Sequence, residues 1–260
     1  MDSNMGDELL TLKGISKDFG GLRAVNKVDM TVEKGTITSL IGPNGSGKST
    51  IINIITGVYG ATEGSVFFEG KCINGLPTHE IVEMGIARTF QLTKLFKGMT
   101  VLENVMVGGH SWAKAGNFLP IVLNRASVRH EEAEIHEYAT EMLKIAGIED
   151  KVHEMAGNLP HGQQRLLELA RSMATKPRLL LLDEPAAGLN PHEEDMLREA
   201  LRSILRTGIT ILLVEHHMRL VMNVSDWVHV IDVGNKIAEG TPKEIGKNRA
   251  VVKAYLGKEF

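Results

Sequence analysis

The sequence predicts an α/β protein, a parallel sheet covered by helices and interrupted by a helical insertion. Three observations carry this. Beyond residue 158, short apolar runs alternate with amphipathic helical ones. A glycine-rich loop at 42–50 stands between a strand pattern and a helix pattern. Between about residues 92 and 157 strand signals fade, and 128–146 carries apolar residues at helical spacing among many charges.

The elements follow in order. LLTLKGI (9–15), VDMTV (28–32) and TITSLIG (36–42) read as strands rich in Thr, Val and Ile, with a turn at Glu33-Lys34-Gly35. A helix is expected over 48–57, a strand over 65–69 and a helix over 78–84. After the insertion come a helix (162–174), a buried strand (179–183) and a helix (192–206). A strand (210–214), a helix (216–224) and a strand (228–232) complete the alternation. No internal repeat or low-complexity linker is visible.

The totals exclude several classes. The chain has 260 residues, 43% hydrophobic and 23% charged, enough for one large domain or two modest ones. A net charge of −3 supplies no overall basic field, so no nucleic-acid partner is expected. The single cysteine, Cys72, leaves no internal disulfide framework and suits a reducing compartment. The first ten residues lack a signal-peptide pattern. The longest apolar runs are about six residues, whereas a membrane-spanning helix needs about 20. A soluble chain is therefore expected, with any membrane role exercised through a partner.

Residues 42–50 read GPNGSGKST and match G-x-x-x-x-G-K-[ST] in full. In the cofactor-binding loop Gly42, Pro43, Asn44, Gly45, Ser46 and Gly47, the glycines would let backbone amides converge on phosphate oxygens, and the following helix adds positive potential. Lys48 can reach the β- and γ-phosphates, and the Ser49 hydroxyl, followed by Thr50, can ligate Mg²⁺. Such a loop needs a second metal ligand, normally at the end of a neighbouring strand, and Leu179–Leu182 delivers Asp183 there; the alternative for an acid at a strand end is a mere helix cap. Glu184 follows as the strand breaks at Pro185. Beside a γ-phosphate it could orient and deprotonate the attacking water. Its alternative is a solvent-exposed loop acid.

Two patterns mislead. Asn26-Lys27-Val28-Asp29 matches the guanine-reading N-K-x-D motif, but precedes the phosphate loop instead of following it, and reads as surface residues. Glu215-His216-His217 looks metal-like, but adjacent residues at one strand end rarely aim at one ion, and no H-E-x-x-H occurs.

The order of these pieces resembles the ATP-binding-cassette ATPases over about residues 9–257. Alone, Phe19 reads as a core residue, Gln91 as a polar residue after a strand and His216 as a satisfied histidine; order and spacing give them weight. The resemblance implies a P-loop NTPase (RecA-like) core with an antiparallel β subdomain at the N-terminus and an inserted α-helical subdomain. The core would span 9–91 and 158–240, the helical subdomain 92–157, and a C-terminal helical tail 241–260. It implies that Phe19 stacks on adenine, that Gln91 touches Mg²⁺ or water and signals to a membrane partner, and that Asp183 and Glu184 are the magnesium acid and the catalytic glutamate. Leu159, Pro160, His161, Gly162 and Gln163 take the place of the signature LSGGQ. Ala187-Gly188-Leu189-Asn190 takes that of the D-loop, and His216 that of the switch histidine contacting the γ-phosphate.

GIARTFQ, LFKGMTVLENVMVG, DEPAAGLNP and VEHHMRLVM are similar to the ATPases of branched-chain amino-acid importers, and the insertion 111–124 to the larger of their two paired ATPases. The partners so implied are transmembrane permease subunits, a second ATPase cassette and, indirectly, a periplasmic or extracellular solute-binding protein. The cofactors are ATP and Mg²⁺, and the location is the cytoplasmic face of the membrane. The alternative is a cassette of another transporter, or a soluble ATPase of the superfamily.

The signature is the least standard part. Pro160 is expected at the first helical position, preset for the helix but without the serine hydroxyl of the family. His161 either restores a donor or contacts only the partner's surface. Gly162 and Gln163 are expected to keep anion-facing amides.

Overall fold

The computed structural model describes residues 8–89, 95–109 and 125–256. The chain begins with two long strands, β1 (Glu8–Phe19) and β2 (Leu22–Glu33), paired antiparallel. They are longer than the sequence suggests because bulges absorb the irregular stretch around Gly14 and Ser16–Asp18. With β4 (Glu63–Phe68) and β5 (Lys71–Cys72) they form a four-stranded antiparallel sheet in the order β2-β1-β4-β5. The Asn26–Asp29 decoy lies here as scaffold. Asp29 Oδ1 accepts from the Gly14 amide at 2.8 Å, and Asn26 Nδ2 donates to Asn235 Oδ1 at 2.9 Å.

The second sheet has six strands in the order β10-β9-β3-β8-β7-β6. β3 (Ile37–Ile41), β6 (Ile86–Arg88), β7 (Leu179–Asp183), β8 (Thr210–Val214) and β9 (Trp227–Asp232) run parallel, and β10 (Asn235–Gly240) closes the edge antiparallel. β3, β7 and β8 are buried along their whole length, as strands covered on both faces must be. One apolar cluster fills the space between the two sheets around α1 (Lys48–Ile55) and α2 (Thr78–Glu83), with Ile51, Ile52, Leu40, Leu181 and Phe68 at its centre.

The opposite face is covered by helices α3 (Val101–Gly109), α4 (Arg125–Ala146), α5 (His161–Met173) and α6 (Pro191–Arg206). α6 starts at a complete capping box: Asn190 Oδ1 accepts from the His192 and Glu193 amides, and Glu193 returns a carboxylate to the Asn190 amide. Three short C-terminal helices follow: α7 (Met218–Val224), α8 (Pro242–Ile245) and α9 (Arg249–Leu256). No helix among the described residues is long and apolar enough to cross a membrane.

Asn104 on α3 is fully buried and holds the loop before it. Its Oδ1 accepts from the Phe96 amide at 2.9 Å, and its Nδ2 donates to the carbonyls of Phe96 (3.0 Å) and Thr100 (2.9 Å). Asn104→Ala should lower unfolding free energy in urea by about 2–4 kcal/mol, because it strands these groups away from water.

Candidate functional site

The phosphate loop leaves β3 and enters α1. Gly42 and Gly47 are dictated by close approach: a Cβ on Gly42 would stand 2.0 Å from the Ile231 carbonyl oxygen, and one on Gly47 2.7 Å from that of Ala24. The β9–β10 turn ties the loop down, the Gly234 amide donating to the Ser46 carbonyl at 2.9 Å. Lys48 is buried. Its Nζ donates to the carbonyls of Gly42 (2.7 Å) and Pro43 (3.0 Å). Burial pushes its pKa down, and the carboxylates of Glu184, Asp183 and Glu215 oppose that shift. The Ser46 hydroxyl is buried in the same loop without a hydrogen-bond partner. A buried cation on neutral carbonyls, a partnerless hydroxyl and a helix start form a cradle suited to phosphate.

Asp183 ends β7, buried, with Oδ2 accepting from Arg88 Nη2 at 2.9 Å. Arg88 also donates to Asn53 Oδ1 on α1 at 2.7 Å, so one guanidinium sets the carboxylate against the helix that follows the phosphate loop. Glu184 stands in the left-handed region, φ 49°, its amide donating to the Val214 carbonyl at 2.9 Å. This break in strand geometry separates the courses of two consecutive acids. His216 Nδ1 lies 3.5 Å from Glu184 Oε1, whereas His217 Nδ1 lies 3.0 Å from Glu194 Oε1. The adjacent histidines thus face different carboxylates. Among the described residues no group of three or more His, Cys, Asp or Glu side chains is placed to hold a metal ion.

Phe19 is exposed at the end of β1, 41% accessible, and not a core residue. Its ring meets Tyr59 edge-on at 5.3 Å, and Lys17 Nζ lies 5.2 Å from its centroid. Gln91 and the insertion 111–124 lie outside the described residues.

The signature segment departs from expectation twice. Pro160 is not the first helical residue; its ψ of 155° leaves it outside as the cap, and α5 begins at His161. The Gly162 amide does not face open space. It donates to Glu193 Oε1 at 3.0 Å, a carboxylate replacing the cap that Pro160 lacks. Leu159 is buried, His161 is exposed, and the His161 ring lies 3.5 Å from where a Cβ on Gly188 of the loop 187–190 would stand.

Sequence reasoning missed several supports. Glu215, fully buried, accepts from the Ala186 amide at 2.8 Å and from those of His216 (3.0 Å) and His217 (3.2 Å), clamping the end of β7 to the end of β8. Its signal in the sequence is an acid closing the apolar run TILLV. Tyr255 on α9 brings a buried phenol beside the Gly42 backbone, and burial pushes its pKa up to about 12. A groove of about 390 Å³ between β6 and α5 is lined by Arg88, Thr89, Phe96, Val107, Glu168 and Arg171.

Known proteins match this architecture. The family model described as ABC transporter matches residues 25–187, and that described as branched-chain amino acid ATP-binding cassette transporter matches residues 235–260. The high-affinity branched-chain amino acid transport ATP-binding protein BraF of Pseudomonas aeruginosa is 46% identical over 255 residues, 97% of this chain and 99% of BraF. The solved ADP conformation of MJ1267, an ATP-binding cassette of an ABC transporter, superposes with a TM-score of 0.84 at 36% identity, covering 96% of this chain and 99% of that one. A dimeric structure of the bacterial ABC transporter cassette MJ0796 gives a TM-score of 0.74 at 25% identity, covering 90% of this chain and 99% of that one.

Proposed function

We propose that this chain, which belongs to the ABC transporter family, is the ATP-hydrolysing subunit of an amino-acid importer, of the branched-chain kind. The observation that carries the ATPase reading is the convergence on one phosphate loop of buried Lys48, Asp183 at a strand end, and Glu184 paired with His216. The solute class is supported by the name of BraF and by the match at residues 235–260.

In this reading Phe19 stacks on adenine and the amides of the loop 42–47, other than Pro43, which has no N–H, take the phosphates. Lys48 and His216 stabilise charge developing on the γ-phosphate, and Glu184 polarises the attacking water. The Ser49 hydroxyl and Asp183 carboxylate are hard oxygen donors that suit Mg²⁺, and Gln91 would join them. The metal, when bound, would neutralise phosphate charge.

The protein would work as a pair of cassettes facing head to tail, each ATP held between one phosphate loop and the partner's segment 159–163. ATP drives closure because only the closed state makes both sets of contacts. Permease subunits would dock in the groove between β6 and α5, where Arg171 lies 5.7 Å from the exposed Phe96 ring. That would place the chain on the inner face of the membrane, indirectly serving a solute-binding protein.

The test is to express the chain with its genomic neighbours. ATP hydrolysis, co-purification with membrane subunits and ATP-dependent uptake of leucine into vesicles are expected; a chain that neither hydrolyses ATP nor retains membrane subunits would overturn the reading. Phe19→Ala should weaken ATP binding about tenfold, since stacking on a base contributes roughly 1–3 kcal/mol. Phe19→Trp should retain it, checked by titration calorimetry.

A further inference from the structure

We propose that Glu193 is a positioning residue of the composite ATP site, a strut that joins the signature turn to the loop 187–190 so that both meet the partner's nucleotide as one unit. This rests on the paired-cassette reading above. Glu193 is the third residue of α6, and its two oxygens serve two different segments. Oε2 accepts from the Asn190 amide at 3.0 Å, closing the capping box at the end of the 187–190 loop. Oε1 accepts from the Gly162 amide at 3.0 Å, in the first turn of α5 and 31 residues away in sequence.

The fit is built, not incidental. A Cβ on Gly162 would stand 2.6 Å from Glu193 Cγ and 2.8 Å from its Cδ and Oε1, so the glycine is what admits the carboxylate. Pro160 supplies no side-chain cap to α5, and the imported carboxylate supplies the anion that a helix start favours. The same two segments come close again at Gly188, where a Cβ, had the residue one, would stand 3.5 Å from the His161 ring. The Asn190 amide, with help from Gly162, holds the Glu193 pKa below the usual carboxylate range, so the strut is charged at neutral pH.

A latch that releases when nucleotide arrives would need the same groups to separate. The stem of Glu193 already fills the space beside Gly162, and its other oxygen belongs to the cap of α6. The carboxylate thus holds both segments at once, and His161 is the exposed side chain of the turn.

The test uses the full chain carrying Glu184→Gln, expected to form a stable dimer with ATP. Into it are placed Glu193→Asp, one methylene too short to span both amides but still an acid at the helix start, and Glu193→Gln, whose amide nitrogen cannot accept. Dimer dissociation is measured by sedimentation, and ATP binding to the monomer's own phosphate loop by titration. The strut predicts a dimer weakened about tenfold or more, with own-site ATP binding within about twofold of the parent. A dimer unchanged or tightened overturns it, the latter being the signature of a latch. So does parallel loss of dimerisation and own-site binding, which marks general structural damage. A Glu184→Gln parent that stays monomeric with ATP would overturn the functional reading itself, and the strut with it.

Discussion

Glu184→Gln is expected to leave ATP binding intact, lower turnover by about 10²–10⁴ and trap a dimer of cassettes holding ATP. The magnitude is that of a lost general base. The substitution is nearly isosteric, and the unusual backbone at this position is held independently of the carboxylate. The Glu184 amide donates to Val214 at 2.9 Å, and Glu215 clamps the neighbouring Ala186 amide at 2.8 Å. A left-handed non-glycine residue costs on the order of 1–3 kcal/mol, and these contacts sustain it. Glutamine should therefore stand where glutamate stands and still face His216, but it cannot take a proton from water. Steady-state phosphate release and sedimentation with ATP check both parts. Undiminished hydrolysis would remove Glu184 from the mechanism and leave Asp183, already bound to Arg88, as the nearby acid to examine.

The legible parts of this protein are those whose chemistry is local. The turn of 42–50 between β3 and α1 can be read because its glycines and its lysine are adjacent in the chain, and the structure places them in one loop with Lys48 buried. Asp183 can be read because a buried strand must end for an acid to follow it. The illegible parts are carried by contacts between distant residues. Nothing in the sequence near Arg88 says that it will meet Asp183, 95 residues on, and nothing near Gly162 announces Glu193. Local rules then mislead, as at Pro160: they place proline inside the helix, because they do not see that another helix supplies the missing cap. Phe19 misleads in the opposite direction. Taken alone it belongs in a core, but it lies exposed at the end of β1 against Tyr59.

Lys48→Ala should separate the stability of the fold from its response to nucleotide. In the protein without ATP, the ammonium is buried on two neutral carbonyls, and desolvation depresses its pKa. Removing it relieves that desolvation but strands the carbonyls of Gly42 and Pro43, and the two effects oppose each other. The melting temperature without nucleotide should therefore change little. ATP binding should not survive so well. On the proposed reading Lys48 would exchange its carbonyl partners for phosphate oxygens, and each such charged hydrogen bond contributes about 1.5–3 kcal/mol. Two of them correspond to a loss of about 10²–10⁴ in affinity. Ligand stabilisation grows with the logarithm of concentration over Kd, so millimolar MgATP should raise the melting temperature of the parent and barely move that of the variant. Lys48→Arg should not restore the shift, because a planar guanidinium cannot occupy a pocket shaped for a compact ammonium. A variant that keeps the full ATP-induced shift would place the nucleotide elsewhere and dismantle the site built on this loop.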